Sequence, residues 1–270
     1  MRAGRPLPLL ALLLSAMAYA AGSFAYHRVA DYRGRREVER LFSRYVSPNV
    51  ARTLLQNPGL VQLGGRRKEL SILFSDIRGF TSLSERLPPE QVSALLNEYF
   101  TEMTEVLFAH DGTLDKFIGD AILAFFGDPL AMEDHTSRAV SCAVSMQERA
   151  ALLRERFAAE GKPPLHIGVA VNAGPVVVGN NGSKTNFAYT VIGDTVNLAS
   201  RLQGLAVRDD VILPDRLRAA IPGFDETYDW EPMDPVTVKG KADPIPVVRI
   251  RGRRRGRPQP PAGSAEIQGE

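Results

Sequence analysis

The sequence predicts an α+β domain of the ferredoxin-like, split βαβ class, preceded by one membrane-spanning helix. Three observations predict it. Between Lys68 and Ile250 the apolar residues fall into strand-like runs and helical-period stretches in the order strand, helix, strand, strand, helix, strand. The two middle strands are joined by a two-residue turn, Gly119-Asp120. Ahead of them lie twenty residues without a charge, Leu7 to Tyr26, about the length a helix needs to cross a bilayer core.

Residues 1–6 are an N-terminal flank holding Arg2 and Arg5, and 7–26 is the candidate span. Arg28, Arg33, Arg35, Arg36 and Arg40 follow it and outnumber the upstream arginines, which puts the C-terminal side in the cytoplasm, at the cell's inner membrane. A cleaved signal peptide is the competing reading, because Ala18-Tyr19-Ala20 has the form of a cleavage site. Residues 27–67 read as a juxtamembrane linker. Val38, Leu41, Phe42 and Tyr45 sit at helical spacing, and Ser47-Pro48 and Asn57-Pro58-Gly59 break the chain. That stretch is either a solvated connector or a short helical seam between two copies.

Residues 68–250 form the globular domain. Leu70 to Asp76 is a buried strand, and Pro89 to Ala109 a helix with Val92, Leu95, Leu96, Tyr99, Phe100 and Met103 on one face. Leu114 to Phe126 is a hairpin. A long helix runs from Asp134 to Glu160 and stops at Gly161-Lys162-Pro163-Pro164. His166 to Asn172 and Val176 to Gly179 read as two strands, and a helix opens at Asp194 or Thr195 and runs to Leu205. The rest, to Ile250, is mixed and short-elemented. Residues 251–270 are a basic tail, disordered by composition.

Composition narrows the chemistry. Of 270 residues 44% are hydrophobic, and 33 Lys and Arg against 31 Asp and Glu leave a formal charge of +2, which argues against disorder and against a general nucleic-acid partner. A single cysteine, Cys142, excludes an intramolecular disulfide and a cysteine zinc cluster, and four histidines without a metal-binding motif make a histidine site improbable. Carboxylates, amides, lysines and arginines must carry the reaction.

Asp76 ends the first strand and Asp120 lies in the turn that ends the second. A helical crossover makes those strands parallel, so both carboxylates come to one sheet edge. Each alone has an ordinary reading, as cap or turn residue. Together they repel unless a cation or proton intervenes, and an all-oxygen set suits Mg²⁺ or Mn²⁺. Beside Asp76, Gly79, Phe80 and Thr81 form a loop before a helix whose backbone N–H groups can cradle a polyphosphate. Asn197 and Arg201 are four apart on one helical face, and a guanidinium there suits a transferring phosphoryl group. By spacing alone, Lys116 and Lys239 are ordinary solvated lysines.

Four segments, Phe74 to Thr81, Lys116 to Asp120, Tyr189 to Arg201 and Val238 to Lys241, resemble the class III nucleotidyl cyclase catalytic domain in order and spacing. The resemblance implies a head-to-tail dimer that forms a cyclic nucleotide from a nucleoside triphosphate, with two divalent cations (Mg²⁺ or Mn²⁺) per site. It assigns the cations to Asp76, Asp120 and the Ile77 carbonyl, the ribose to Asn197, the transition state to Arg201, the terminal phosphates to Lys239 and the base to Lys116 and Thr190. Lysine with threonine implies ATP, hence an adenylate cyclase that releases 3′,5′-cyclic AMP and pyrophosphate. Guanylate cyclase, or an inactive nucleotide-sensing or dimerisation module, is the alternative. The N-terminal part is similar to bacterial cyclases that place an extracytoplasmic sensor and membrane helices upstream, of which this chain would carry the last helix.

Overall fold

A computed structural model describes Met17 and residues 64–183, 187–237 and 243–254. The predicted span, the linker up to residue 63, Lys239 and the tail beyond residue 254 lie outside the described residues, apart from Met17. Among the described residues no helix is long and apolar enough to cross a membrane.

The elements are β1 (Gly64–Ile77), α1 (Phe80–Ser84), α2 (Pro89–Ala109), β2 (Thr113–Ile118), β3 (Ala121–Phe126), α3 (His135–Ala159), β4 (Ile167–Gly182), β5 (Phe187–Ile192) and α4 (Asp194–Leu205). They are followed by β6 (Val211–Pro214), α5 (Asp215–Ala220), α6 (Phe224–Thr227), β7 (Tyr228–Val236) and β8 (Ile245–Arg253). The sheet runs β2-β3-β1-β4-β6-β8-β7, with β5 paired to β4 off that path. Its first four strands have the order of a split βαβ fold, as expected. Both β1 and β2 pair antiparallel with β3, so they point the same way with β3 between them. Their C-terminal ends share an edge, though the strands are not neighbours.

β1 reads as a nearly continuous apolar run because both of its faces are covered. Leu73 and Ile77 face α2 and α3, where Tyr99, Met103, Leu107, Val140, Ala143 and Phe157 pack. Ile72 and Phe74 face the other way, onto Phe125, Val176, Val178, Val191 and Ala199 from β3, β4, β5 and α4. Helices α2 and α3 therefore cover one side of the sheet, and α4 with the β4–β5 arm covers the other. The polar exceptions on β1 are paired: Ser75 Oγ is 3.0 Å from the buried Tyr99 hydroxyl, and Ser71 Oγ is 2.9 Å from His135 Nδ1.

Two sequence expectations need correction. The two strands expected over His166 to Asn172 and Val176 to Gly179 are one strand, β4, which begins at Ile167 and ends at Gly182. Gly174 and Pro175 stay in register with Leu70 and Glu69, and the Pro175 carbonyl accepts the Thr195 hydroxyl at 2.8 Å. A proline usually marks a break in a central strand; here the strand continues, paired with β1 from Ile167 to Asn180. The second correction is β5, Phe187–Ile192, because the sequence alone assigns no element between Gly179 and Asp194. Its six residues pair antiparallel with the last six of β4, Val177 to Gly182.

Candidate active site

Two clusters form around the predicted residues. The first lies at the C-terminal edge of β1 and β2. Gly119 takes φ 64, a left-handed value that glycine adopts without strain, and turns the chain so that Asp120 folds back onto β1. Asp120 Oδ2 accepts the Ile77 N–H at 3.2 Å, so Asp76, Ile77 and Asp120 meet as expected. Burial, and then the neighbouring Asp76 carboxyl, push Asp120 up from 3.8 to about 7. The pair thus wants either a proton or a cation between its oxygens.

Two residues that the sequence reading passed over complete this cluster. Arg78 Nη2 donates to Asp76 Oδ2 at 2.8 Å, and its Nη1 donates to the Ala206 carbonyl at 3.1 Å. Gln203 Nε2, from the last turn of α4, reaches the same Asp76 oxygen at 3.2 Å. Gly168, opposite Asp76 on β4, makes room for the guanidinium: a Cβ there would lie 3.0 Å from Arg78 Nε and 2.8 Å from the Ala206 Cβ. Asp76 is therefore held by side chains from two directions before any ligand arrives. Gly79 precedes α1 in the left-handed conformation at φ 74, followed by Phe80 and Thr81.

Among the described residues no group of three or more His, Cys, Asp and Glu side chains could hold a metal ion. Two carboxylates and a carbonyl fit a hard divalent cation that takes its other ligands from water and substrate phosphates, which is how Mg²⁺ is commonly bound.

The second cluster lies where β2 meets the β4–β5 arm. Lys116 Nζ donates to Thr190 Oγ1 at 3.1 Å, so these two expected residues are brought together across 74 positions of sequence. Asp115, also passed over, joins them: its Oδ2 accepts the Thr190 hydroxyl at 2.6 Å and the Val191 N–H at 3.2 Å, and its Oδ1 is 3.1 Å from the Lys116 ammonium. Behind it, Asp128 is wholly buried and accepts from Arg66 at 2.9 Å, from Lys68 at 3.1 Å and from the Tyr189 hydroxyl at 2.8 Å. That clasp ties the start of β1 to β5. The Asp128 bond holds the Arg66 guanidinium above its ordinary value, and burial, then Asp128, push the Tyr189 phenol up.

Asn197 and Arg201 lie on the exposed face of α4, whose buried side carries Leu198, Ala199, Leu202 and Gln203. At 100° per residue, Arg201 points about 200° round the helix from Gln203, away from the Asp76 of its own chain. The structure thus joins Asp76, Ile77 and Asp120, and separately Lys116 and Thr190. Asn197 and Arg201 lie on the exposed face of α4.

The family of the Adenylate and Guanylate cyclase catalytic domain matches residues 65–249. Adenylate cyclase 1 of Rhizobium meliloti is 33% identical over 227 residues, 83% of this chain and 34% of that protein. The chain thus spans about a third of the length of that curated relative. The crystal structure of the adenylyl cyclase CyaB from P. aeruginosa is 36% identical, with a TM-score of 0.67 over 72% of this chain and 98% of that one. The guanylyl cyclase Cya2 is as similar, at 37% identity and a TM-score of 0.65 over 72% of this chain and 96% of that one. Matched through both aspartate segments, both strands of the arm and α4, the chain belongs to the adenylate and guanylate cyclase catalytic domain family.

Proposed function

We propose that the protein is an adenylate cyclase, converting ATP to 3′,5′-cyclic AMP and pyrophosphate in a head-to-tail homodimer. The observation that carries the choice of base is the Lys116–Thr190 pair, 3.1 Å apart. An ammonium N–H beside a hydroxyl lone pair complements the adenine ring nitrogen and its amino group. Guanine presents a ring N–H and a carbonyl in the same places and would be mismatched at both. The similarity to Cya2 keeps guanylate cyclase as the second reading, and Lys116 speaks against it.

Asp76, Asp120 and the Ile77 carbonyl would hold two divalent cations, Mg²⁺ or Mn²⁺. When bound, these favour ionisation of the ribose 3′-hydroxyl and offset phosphate charge. Arg78 and Gln203 keep the Asp76 carboxylate in place, and the N–H groups around Gly79, Phe80 and Thr81 line the polyphosphate. Asn197 orients the ribose, Arg201 meets the charge that develops at the α-phosphate, and Lys239 receives the terminal phosphates. The 3′-oxygen then bonds to the α-phosphorus as the bond to the bridging oxygen of pyrophosphate breaks, and the hydroxyl proton passes to water.

Two features support sharing each site between two chains. Arg201 faces away from its own Asp76, so it is placed to serve another. Around the second cluster Phe117, Ile118, Val177, Phe187 and Ile192 are exposed apolar side chains, and Val177 stands directly opposite Ile192 in the ladder. An apolar patch of this kind is the mark of a surface covered by a partner. We further infer that residues 7–26 anchor the protein in the cell membrane with the catalytic domain on the cytoplasmic side, downstream of a sensor.

The test is turnover of the full chain with ATP or GTP and each metal, products separated by chromatography. Cyclic AMP from ATP, in excess over cyclic GMP from GTP, is expected. The reverse preference would favour the second reading, and no product with either nucleotide would contradict both.

A further inference from the structure

We propose that Asp115 is a positioning residue for base selection: it accepts the hydrogen bond of the Thr190 hydroxyl, so that Thr190 can only accept a hydrogen bond from the base. The inference rests on the reading that Lys116 and Thr190 meet the base, and it adds the residue that fixes their polarity.

The geometry begins in β2. Leu114 pairs with Ala124 and Lys116 with Leu123, which leaves Asp115 as the extra residue of a β-bulge. In a regular strand, consecutive side chains point to opposite faces, so Asp115 and Lys116 could not both reach Thr190. The bulge removes that restriction, and both do. Bulges of this kind re-aim side chains beside active sites.

The polarity follows from counting. A threonine hydroxyl has one proton and two lone pairs, an ionised carboxylate only accepts, and an ammonium only donates. The Thr190 hydroxyl donates its one proton to Asp115 Oδ2 in a hydrogen bond of 2.6 Å. One lone pair takes the Lys116 N–H, at 3.1 Å, and the other remains. Of the three Lys116 protons, one points to Thr190 and the ammonium also sits 3.1 Å from Asp115 Oδ1. What the pair still offers outward is therefore one donor, on lysine, beside one acceptor, on threonine. The Asp115 side chain is 1% exposed and cannot contact the base edge directly. Without it, the hydroxyl could rotate and donate to a carbonyl, and threonine would no longer separate an amino group from an oxo group.

The probe is inosine triphosphate, which differs from ATP at these two positions and lacks the additional amino group of guanine. The measurement is kcat/KM for ATP divided by kcat/KM for inosine triphosphate, in the full-length protein, for Asp115→Ala, Thr190→Val and the double variant. Asp115→Ala is expected to lower the ratio about tenfold, within the range over which buried hydrogen-bond mismatches discriminate substrates. In the Thr190→Val background, Asp115→Ala should change the ratio less than about twofold, because the group through which it acts is gone. Should the alanine variant fail to fold, Asp115→Leu, close to aspartate in size, replaces it. Leucine offers the Thr190 hydroxyl no acceptor, so the same ratio must fall. Equal losses with both nucleotides would mean that Asp115 only supports the strand, and would overturn the proposal. So would an undiminished effect in the Thr190→Val background. If Thr190→Val by itself leaves the ratio unchanged, the base-reading role of Thr190 is wrong and this inference falls with it.

Discussion

Asp120→Asn should make the metal-free protein more stable while it abolishes cyclase activity. In the wild type, burial and the Asp76 carboxyl raise Asp120 from 3.8 to about 7. A carboxyl raised in the folded state costs stability once it must ionise. Below about pH 4 both folded and unfolded chains are protonated there, and the cost is absent. Between about 4 and about 7 the unfolded chain releases the proton while the folded one retains it, so stability falls as pH rises; above about 7 the full cost is present. The whole interval would convert to about 4 kcal/mol at 1.36 kcal/mol per pH unit. Asp120 is only half-buried, so solvent screening reduces this to about 1–2 kcal/mol. Asparagine keeps an oxygen for the Ile77 N–H and gains an N–H for Asp76, and it removes the repulsion. For a domain of this size the gain amounts to a rise in Tm of about 2–8 °C. The assay is thermal unfolding of both proteins with a chelator at pH 4, 6 and 8, then with Mn²⁺ or Mg²⁺ at pH 8. The variant's advantage should grow from pH 4 to pH 8 and shrink when metal is added, because the cation stabilises the wild type more. A variant less stable than wild type at pH 8 without metal, or an advantage independent of pH, would refute the reasoning.

Other consequences follow from the second cluster and the clasp behind it. Lys116→Glu combined with Thr190→Cys should lower ATP turnover and raise relative use of GTP, read as the ratio of cyclic AMP to cyclic GMP; an unchanged ratio would remove these residues from base selection. Asp128→Ala leaves the Tyr189 hydroxyl and the Lys68 ammonium without their buried acceptor. Because Arg66 and Lys68 are partly exposed and can turn to water, the expected loss is about 1–3 kcal/mol rather than the larger cost of stranding a buried charge. Urea unfolding measures it, and an unaltered midpoint would show that the clasp contributes nothing.

What the sequence could express was whatever is local. The 21 residues of α2 carry Leu95, Tyr99, Met103, Val106 and Leu107 at helical spacing, and the observed bounds agree with the expected ones. Gly119-Asp120 announces its own turn. The pairing of Asp76 with Asp120 followed from connectivity, since a crossover fixes the direction of two strands even when a third lies between them. Each of the unread residues has a partner at long range. Gln203 looks like the polar end of a helix until β1 is laid beside it, 127 positions away in sequence. Asp128 sits in Gly127-Asp128-Pro129, which reads as a turn, and its partners lie about sixty positions off on either side. Asp115 was hidden by the bulge. Strict alternation assigns it to the face opposite Lys116, and only the register of β2 on β3 reveals that the two share a target.

The central claim is that ATP is cyclised at a site assembled from two chains, the aspartates from one and Arg201 from the other. Co-expressing inactive Asp76→Ala with inactive Arg201→Ala tests it most directly. In a mixed dimer one site carries both lesions and the other is wild type throughout. With free exchange about half the dimers are mixed and half of their sites intact, so cyclic AMP production should recover to about a quarter of the wild-type level. Recovery near that level is the predicted result. No recovery, with heterodimers demonstrated in the same preparation, would place the whole site within one chain and contradict the account.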